Sequence, residues 1–431
     1  MQTGLQRHDF LSGDFMNYYK TIFLGLFALI FSACANEADV SPVPKNIAHS
    51  IQLPKGFKID VFADFSQYPQ LSADSQPRIM AFDAAGNLYV SLTTQGKVVK
   101  FEKNLQNPTQ TGTLKVLAEG LSAPHGLTFV GDKLVVANQD SIVALDKDGA
   151  KPPTVLVKDL PTGGHTYKTV KLGPDGYLYV NVGSTCNVCI ERDPLRATIL
   201  RYTVEGKPAG ALTTLGRHAP SPIYATGLRN SQGFTWHPTT KAMFATNNGA
   251  DNRTHVKNGA PDEGVPPEHL NHIMAGRNYG WPHCWGNVPT DRVDQENQQT
   301  NPHRWGMLFE DPNFKGEEGF CAKATPPAFV FESHSTPMGI TFLQQSQFPK
   351  DYLNDAIVAQ HGSWNRQHLS GYKLVRVKFV GDKPVAVEDF ATGWLKDNAA
   401  FGRPVDVQVG ADGALYVSDD RAGLIYRVTY Q

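Results

Sequence analysis

The chain has 431 residues, and Lys+Arg 40 against Asp+Glu 41 leaves a formal net charge of -1, which excludes nucleic acid as a partner held by overall charge. Gly 39, Pro 29 and 10% aromatic residues suit a turn-rich β protein rather than a helical bundle. The length would accommodate two domains, but repetitive all-β folds run this long as one.

In chain order, the first feature is an export signal. Lys20 precedes an apolar run from Ile22 to Phe31, too short to span a bilayer comfortably, followed by Ser32-Ala33-Cys34. Ser-Ala-Cys resembles a bacterial lipobox, in which the cysteine is lipidated and becomes the mature N-terminus; a plain cleaved signal is the alternative. Residues 1–34 are therefore expected to be a signal peptide with lipobox and residues 35–50 a polar tether. The expected product is an exported periplasmic or outer-membrane lipoprotein of a bacterium, on the membrane through its lipid anchor only. Cys34 being taken by the lipid, Cys186, Cys189, Cys284 and Cys321 remain. Cys186-Asn-Val-Cys189 could be a redox pair, half a zinc site or a local disulfide. With no second CxxC and no His after Cys189, a zinc ribbon and a c-type haem are disfavoured. The favoured reading is a local disulfide, with Cys284–Cys321 closing a long loop.

From 51 to 431 one pattern returns six times: a β-like stretch, a joint with Pro or Gly, a short apolar strand, a turn and a further strand. Val61–Phe65 leads to Gln76–Phe82, Val116–Leu121 to Ala123–Phe129, and Val155–Leu160 to Gly163–Thr166. Ile223–Leu228 leads to Arg229–Phe234, Phe329–Ser333 to Thr336–Ile340, and Asp389–Trp394 to Gly402–Val407. Turns such as Ala84-Ala-Gly86, Pro174-Asp-Gly176 and Ala411-Asp-Gly413 precede Leu-Tyr-Val strands at Leu88, Leu178 and Leu415. Such a period predicts an all-β, six-bladed β-propeller, since each unit alone exposes faces that ring stacking buries. The first β-like stretch, around Phe57–Phe65, has no blade of its own and should complete the blade ended by Gly423–Tyr430. One unit is swollen by a long loop-rich insertion, 250–328, expected to form an ordered cover over one face.

In a propeller the joints before the innermost strands converge on one mouth of the central channel. That places Arg78, His125, His165, Arg229, Asn230, His334 and Arg403 there, with Asn247–Ala250 and His361–Arg366 at the far ends of second strands. Arginines and histidines so gathered suggest a ligand with carboxylates or phosphates. His165 stands out because only its joint carries Gly-Gly-His. No Rossmann fingerprint, P-loop, HExxH or nucleophile elbow is present.

Gly-Gly-His165, Gly-Leu-Arg-Asn230-Ser-Gln-Gly, Asn-Tyr-Gly-Trp-Pro282, His-Gly-Ser-Trp-Asn-Arg366 and Gly-Arg-Pro-Val-Asp406 closely resemble the soluble sugar dehydrogenases dependent on pyrroloquinoline quinone (PQQ), in particular the sorbosone or pyranose dehydrogenase branch. The likeness runs from about Leu53 to the C-terminus. It implies PQQ over the channel with Ca²⁺, a small sugar oxidised at its anomeric carbon, and an external electron acceptor such as a cytochrome. His165 matches the family's catalytic base, and Arg229 and Asn230 match the pair beside the quinone oxygens. Asn248 aligns with a polar cofactor contact, and Gly249 and Ala250 with two backbone carbonyls that bind Ca²⁺. Arg366 and Arg403 would pair the PQQ carboxylates, with Trp364 a stacking surface and Arg78 added from its joint; His125 and His334 are structural or substrate-side. Gly164 stands where the glucose-oxidising members have an acid, which argues against glucose, and Val405 replaces a second arginine. Glu268 would stand in for a nearby acid. The rival functions are a metal-dependent six-bladed lactonase, which would need converging carboxylates, and a non-catalytic binding propeller.

Overall fold

Stretches such as Leu88–Leu92 and Leu178–Val182 are buried at every position, so both faces of the strand are covered. Stacking one small sheet on the next achieves this. The computed structural model describes residues 47–72, 74–107, 109–212, 220–286 and 308–431; the expected signal, lipobox and most of the tether lie outside them. Six four-stranded antiparallel sheets are arranged as a six-bladed β-propeller. From the innermost strand outward, blade 1 is Pro77–Phe82, Leu88–Leu92, Lys97–Lys103 and Thr111–Ala118. Blade 2 is Gly126–Val130, Lys133–Ala137, Ile142–Asp146 and Thr154–Val157. Blade 3 is Val170–Leu172, Leu178–Val182, Thr198–Tyr202 and Ile223–Thr226. Blade 4 is Phe234–Trp236, Met243–Asn247, Glu268–Ile273 and Phe329–Phe331, and blade 5 is Pro337–Phe342, Ala356–Gln360, Lys373–Val380 and Lys383–Ala391. Blade 6 is Pro404–Val409, Leu415–Asp419 and Leu424–Tyr430, completed on its outer edge by the N-terminal strand Phe57–Asp64.

The hydrophobic core is divided among the interfaces between blades. One cluster joins Ile357 and Leu374 of blade 5 to Val417 and Tyr426 of blade 6, and another joins Val135 of blade 2 to Val170 and Val180 of blade 3. The repeated Leu-Tyr-Val strand has a second use for its tyrosine. The hydroxyls of Tyr89, Tyr179 and Tyr416 donate to Asp83, Asp175 and Asp412 in the preceding turn, at 3.1, 2.8 and 3.1 Å. Each turn is thereby tied to its own strand. Around the axis, the inner strands and joints are bonded to one another. Gly126 N donates to Lys168 O at 2.8 Å, Thr246 Oγ1 to Met338 O at 2.9 Å, and Met80 N to Asp406 Oδ2 at 2.9 Å. These bonds fix the joints, and whatever side chains they carry, relative to one another.

Two segments differ from a plain loop or tether. Residues 47–50 form a short 3-10 turn, Ile47–Ser50, whose Ile47 packs into the core between blades 5 and 6. Within 250–328 the chain supplies Glu268–Ile273 as a blade strand, then a two-stranded ribbon of Cys284–Gly286 with Leu308–Glu310, then the short helix Phe320–Lys323. Disulfides join Cys186 to Cys189 and Cys284 to Cys321.

Ring closure rests on the N-terminal strand. Phe57 sits in an aromatic cluster with Phe348, Tyr352, Phe390 and Tyr430, at centroid distances of 4.8 to 5.2 Å. Phe57→Ala is expected to cost about 2–4 kcal/mol, a large-to-small change at a packed aromatic site. Its thermal midpoint should fall well below that of the wild type, while Val61→Ala on the exposed side of the same strand should leave the midpoint nearly unchanged.

Candidate functional site

The joint before blade 3 turns sharply enough to bring His165 back against the end of its own second strand. His165 N and Nδ1 both reach Ser184 O, at 2.9 and 3.1 Å, and Nδ1 lies 2.9 Å from Ser184 Oγ. Ser184 Oγ in turn donates to Cys186 O at 2.7 Å. A carbonyl can only accept and the hydroxyl proton is already committed, so Nδ1 carries the proton and Nε2 keeps its lone pair. Nε2 makes no hydrogen bond among the described residues. Burial, reinforced by the Arg229 charge, depresses the imidazole from 6.5 to about 4, against the opposing bond to Ser184. The ring is thus a neutral base at ordinary pH.

Two glycines make this approach possible. At Gly164, φ is +59° and a Cβ would fall 2.5 Å from both Ser184 O and Thr185 O. At Gly183 a Cβ would fall 2.5 Å from His165 Cβ and 3.2 Å from Asn230 Oδ1.

Arg229 follows in the next joint, its own carbonyl accepting from Ser184 N at 2.8 Å. Its Nη2 donates to Asn187 Oδ1 at 3.0 Å and to Asp251 Oδ2 at 3.1 Å, and Nε to Asn187 O at 3.2 Å. Asp251 also accepts from Asn365 Nδ2 at 2.7 Å and lies 3.6 Å from His334 Nδ1. Burial alone would raise this carboxyl, but His334, Arg229 and Asn365 bring it below its usual value. On the other side, buried Asp420 at the end of the blade 6 second strand pairs with Arg78, with Arg403 Nε at 3.0 Å and with His361 Nε2 at 3.1 Å. Here too burial pushes up, and His361, Arg78 and Arg403 outweigh it, holding the carboxyl well below the usual range. Arg78 stacks over Tyr167 at 5.2 Å, and Tyr167 stacks on His125. Arg366 donates to Glu332 Oε1 at 3.0 Å and to Ser333 O at 3.1 Å. Trp364 stands 69% exposed.

The structure therefore places Arg78 at the start of an inner strand and His165, Arg229, Asn230, Asn248, Gly249, Ala250, Trp364, Arg366 and Arg403 on inner-strand joints or beyond second-strand ends. Asn248 N donates to Asn230 O at 2.9 Å, and both side-chain carbonyl oxygens, Asn230 Oδ1 and Asn248 Oδ1, are buried without a partner. Buried nitrogens Arg78 Nε and Arg366 Nε are likewise unsatisfied. Gly249 N donates to Glu268, whose buried carboxyl rises to about 7, chiefly through burial. The Gly249 and Ala250 carbonyls accept no hydrogen bond among the described residues. Sequence reasoning missed Asp251, Asp420, Asn187 and Ser184. The signal for the two carboxylates was available: both follow second strands, as Asn248 and His361 do.

A family model described as TrAA12-like matches residues 59–431. The chain belongs to this family. A relative of this TrAA12-like chain is the pyrroloquinoline quinone-dependent pyranose dehydrogenase of Coprinopsis cinerea, 25% identical over 413 residues, covering 86% of this chain and 54% of that protein. The chain thus spans about half the length of that curated relative. Among solved structures, the holo form of the PQQ domain of the Coprinopsis cinerea pyranose dehydrogenase has a TM-score of 0.71 at 22% identity, covering 92% of this chain and 99% of that one. The calcium structure of the Trichoderma reesei carbohydrate-active enzymes family AA12 has a TM-score of 0.70 at 20% identity, covering 88% and 97%. Both share the fold.

An NMR titration of the histidine rings should place the His165 midpoint near 4. Arg229→Met should raise it, because removing a neighbouring cation favours the imidazolium. Since the folded midpoint lies below the unfolded 6.5, the folded chain binds fewer protons than the unfolded one between these values. His165 therefore contributes stability that is present above pH 6.5 and lost as the pH falls through about 4, so the denaturation midpoint should drop across that window.

Proposed function

We propose that this chain is a PQQ- and Ca²⁺-dependent dehydrogenase that oxidises the anomeric carbon of an aldose or a sorbosone-like sugar to the lactone or acid. The observation that carries the reading is the state of His165: neutral, its Nδ1 proton committed to Ser184, its Nε2 lone pair free, and Arg229 close enough to act on it. The residues present fit the cofactor. Arg78, Arg366 and Arg403 offer guanidinium donors to its carboxylates, the unpartnered Asn230 and Asn248 amide oxygens offer acceptors to its ring N–H, and Trp364 offers an open ring face. The uncommitted carbonyls of Gly249 and Ala250 are hard oxygen donors of the kind Ca²⁺ takes.

When bound, PQQ with Ca²⁺ supplies the two-electron acceptor for the hydride that leaves C1. The chain's own work is to move a proton and hold charge. His165 Nε2 takes the proton of the anomeric hydroxyl, so that the C1–O bond gains double-bond character as the C1–H electron pair departs. Arg229, fixed by Asn187 and Asp251, holds positive charge where negative charge develops during that transfer. Asn230 lies beside it, its backbone N bonded to Asn247 Oδ1 at 3.1 Å. Gly164 leaves no acid next to the base, which favours a sugar that needs no carboxylate contact there.

The proposal extends to the chain's setting. The 1–34 leader and lipidated Cys34 would carry the propeller out of the cytoplasm, as a periplasmic or outer-membrane lipoprotein, on a tether that ends where Ile47–Ser50 docks on the core. The electrons would then pass to an external acceptor such as a cytochrome. No helix among the described residues is long and apolar enough to cross a membrane.

Reconstitution of the purified chain with PQQ and Ca²⁺ should give dye reduction with at least one aldose or osone in a panel, and none without PQQ. Lactone opening without PQQ would show a lactonase instead, and no activity of either kind would leave a binding module. His165→Ala should lower kcat by about 10²- to 10⁴-fold, the usual contribution of a general base, while PQQ stays bound by absorbance.

A further inference from the structure

The ring closed by the Cys186–Cys189 disulfide holds only two residues between its sulfurs, and one of them, Asn187, meets Arg229 and Asp251 at once. Asn187 Oδ1 accepts from Arg229 Nη2 at 3.0 Å and from Asp251 N at 2.7 Å, while its Nδ2 donates to Asp251 O at 2.8 Å. Its backbone carbonyl accepts from Arg229 Nε and from Trp281 Nε1, both at 3.2 Å. The same ring reaches His165 by another route. Cys186 O fixes the Ser184 hydroxyl, and that hydroxyl faces His165 Nδ1. The sulfurs, being bonded to each other, are not thiolate ligands, so the grouping of Cys186, Cys189 and Glu191 does not make a metal site.

We infer that the Cys186–Cys189 ring is a positioning clamp that sets the spacing between Arg229 and His165, with Asn187 as the positioning residue for the arginine and the Cys186 carbonyl, through Ser184, for the base. The inference rests on the dehydrogenase reading for its consequence in turnover, but the geometry stands apart from it. A short disulfide ring suits the task. Asn187 is not in a blade strand, and its side chain must serve three polar partners from a loop. An unconstrained loop would lose conformational entropy on doing so, and the covalent ring removes much of that freedom beforehand. The position of Arg229 matters because misplacing a reacting group by about 1 Å costs about 10²-fold in rate.

The test uses the full chain with Asn187→Ala and, separately, the paired Cys186→Ser and Cys189→Ser. Phe57→Ala serves as a variant that destabilises the ring of blades without touching the site. In the apoprotein, the His165 midpoint should rise by about half a pH unit or more in both clamp variants, as Arg229 is released from its place near the imidazole. The charges acting on His165 are Arg229, Asp251 and Arg196; Asn187 holds the guanidinium of the first but only the backbone of the second, whose carboxylate is kept by Asn365 and His334. With PQQ and Ca²⁺ loaded, kcat should fall about tenfold or more with the sugar KM nearly unchanged, since the interaction lost acts in the transition state. Phe57→Ala should lower the thermal midpoint and leave both the titration and kcat as in the wild type. A His165 midpoint and a kcat unchanged in both clamp variants would overturn the inference, as would a Phe57→Ala variant that shifts them equally. Because the titration is read without cofactor, a wild-type chain that oxidises no sugar would sink the enzymatic reading and leave the clamp to be judged on the imidazole.

Discussion

Four guanidinium groups can gather at one end of this propeller because each has a carboxylate against it. Arg78 and Arg403 share Asp420, Arg229 has Asp251, and Arg366 has Glu332. Asp420 is fully enclosed, and an isolated carboxylate there would be costly to desolvate. Two arginines and His361 make it affordable, and it in turn sets the direction of both arginines. The pairing also explains why the mouth is not a bare field of positive charge. Four guanidinium groups stand against three carboxylates, so a surplus of positive charge remains among them.

The blades supply the frame for these pairs. Bonds between neighbouring inner strands leave the joints little freedom, and the tyrosine-to-turn bonds hold the strand ends opposite. Polar side chains on the joints are therefore placed by backbone that would have to break several bonds to move. The contrast with the chemistry is instructive. His165 and Arg229 lie on adjacent joints, yet their mutual position depends on a loop, Ser184 to Cys189, that belongs to no blade strand. Arg78 is carried on an inner strand and Arg403 stands directly before one, whereas a disulfide takes over at Asn187, where the sheet has ended.

Much of this was legible in the sequence. The six joints, the Leu-Tyr-Val strands and the outer strand at Phe57–Asp64 could be read because apolar alternation and Asp-Gly turns repeat with a period. The strand Glu268–Ile273 could not, since Glu268, His269 and Asn271 occupy buried positions and hide the apolar rhythm. Asp419-Asp420-Arg421 reads as a charged surface turn until the ring is closed and Asp420 is seen to face two guanidinium groups and the His361 imidazole. Asn187 was hidden for a different reason. Between two cysteines, attention goes to the sulfur chemistry, while the residue that organises the site is the amide between them.

The joint at 163–166 carries the same logic down to a single atom. The resemblance to sugar dehydrogenases would allow an acid at 164, next to His165. Here the backbone at that position is left-handed, and a Cβ would strike Ser184 O, the carbonyl that fixes the Nδ1 proton of His165. An acid at 164 and the observed His165–Ser184 bond are therefore alternatives in this backbone. Adding the acid would displace the carbonyl that makes Nε2 the free nitrogen, so the change would alter the imidazole before the new carboxylate could act. The identity of residue 164 is in that sense written into the course of the main chain, and a side-chain exchange alone would not leave the His165–Ser184 bond intact.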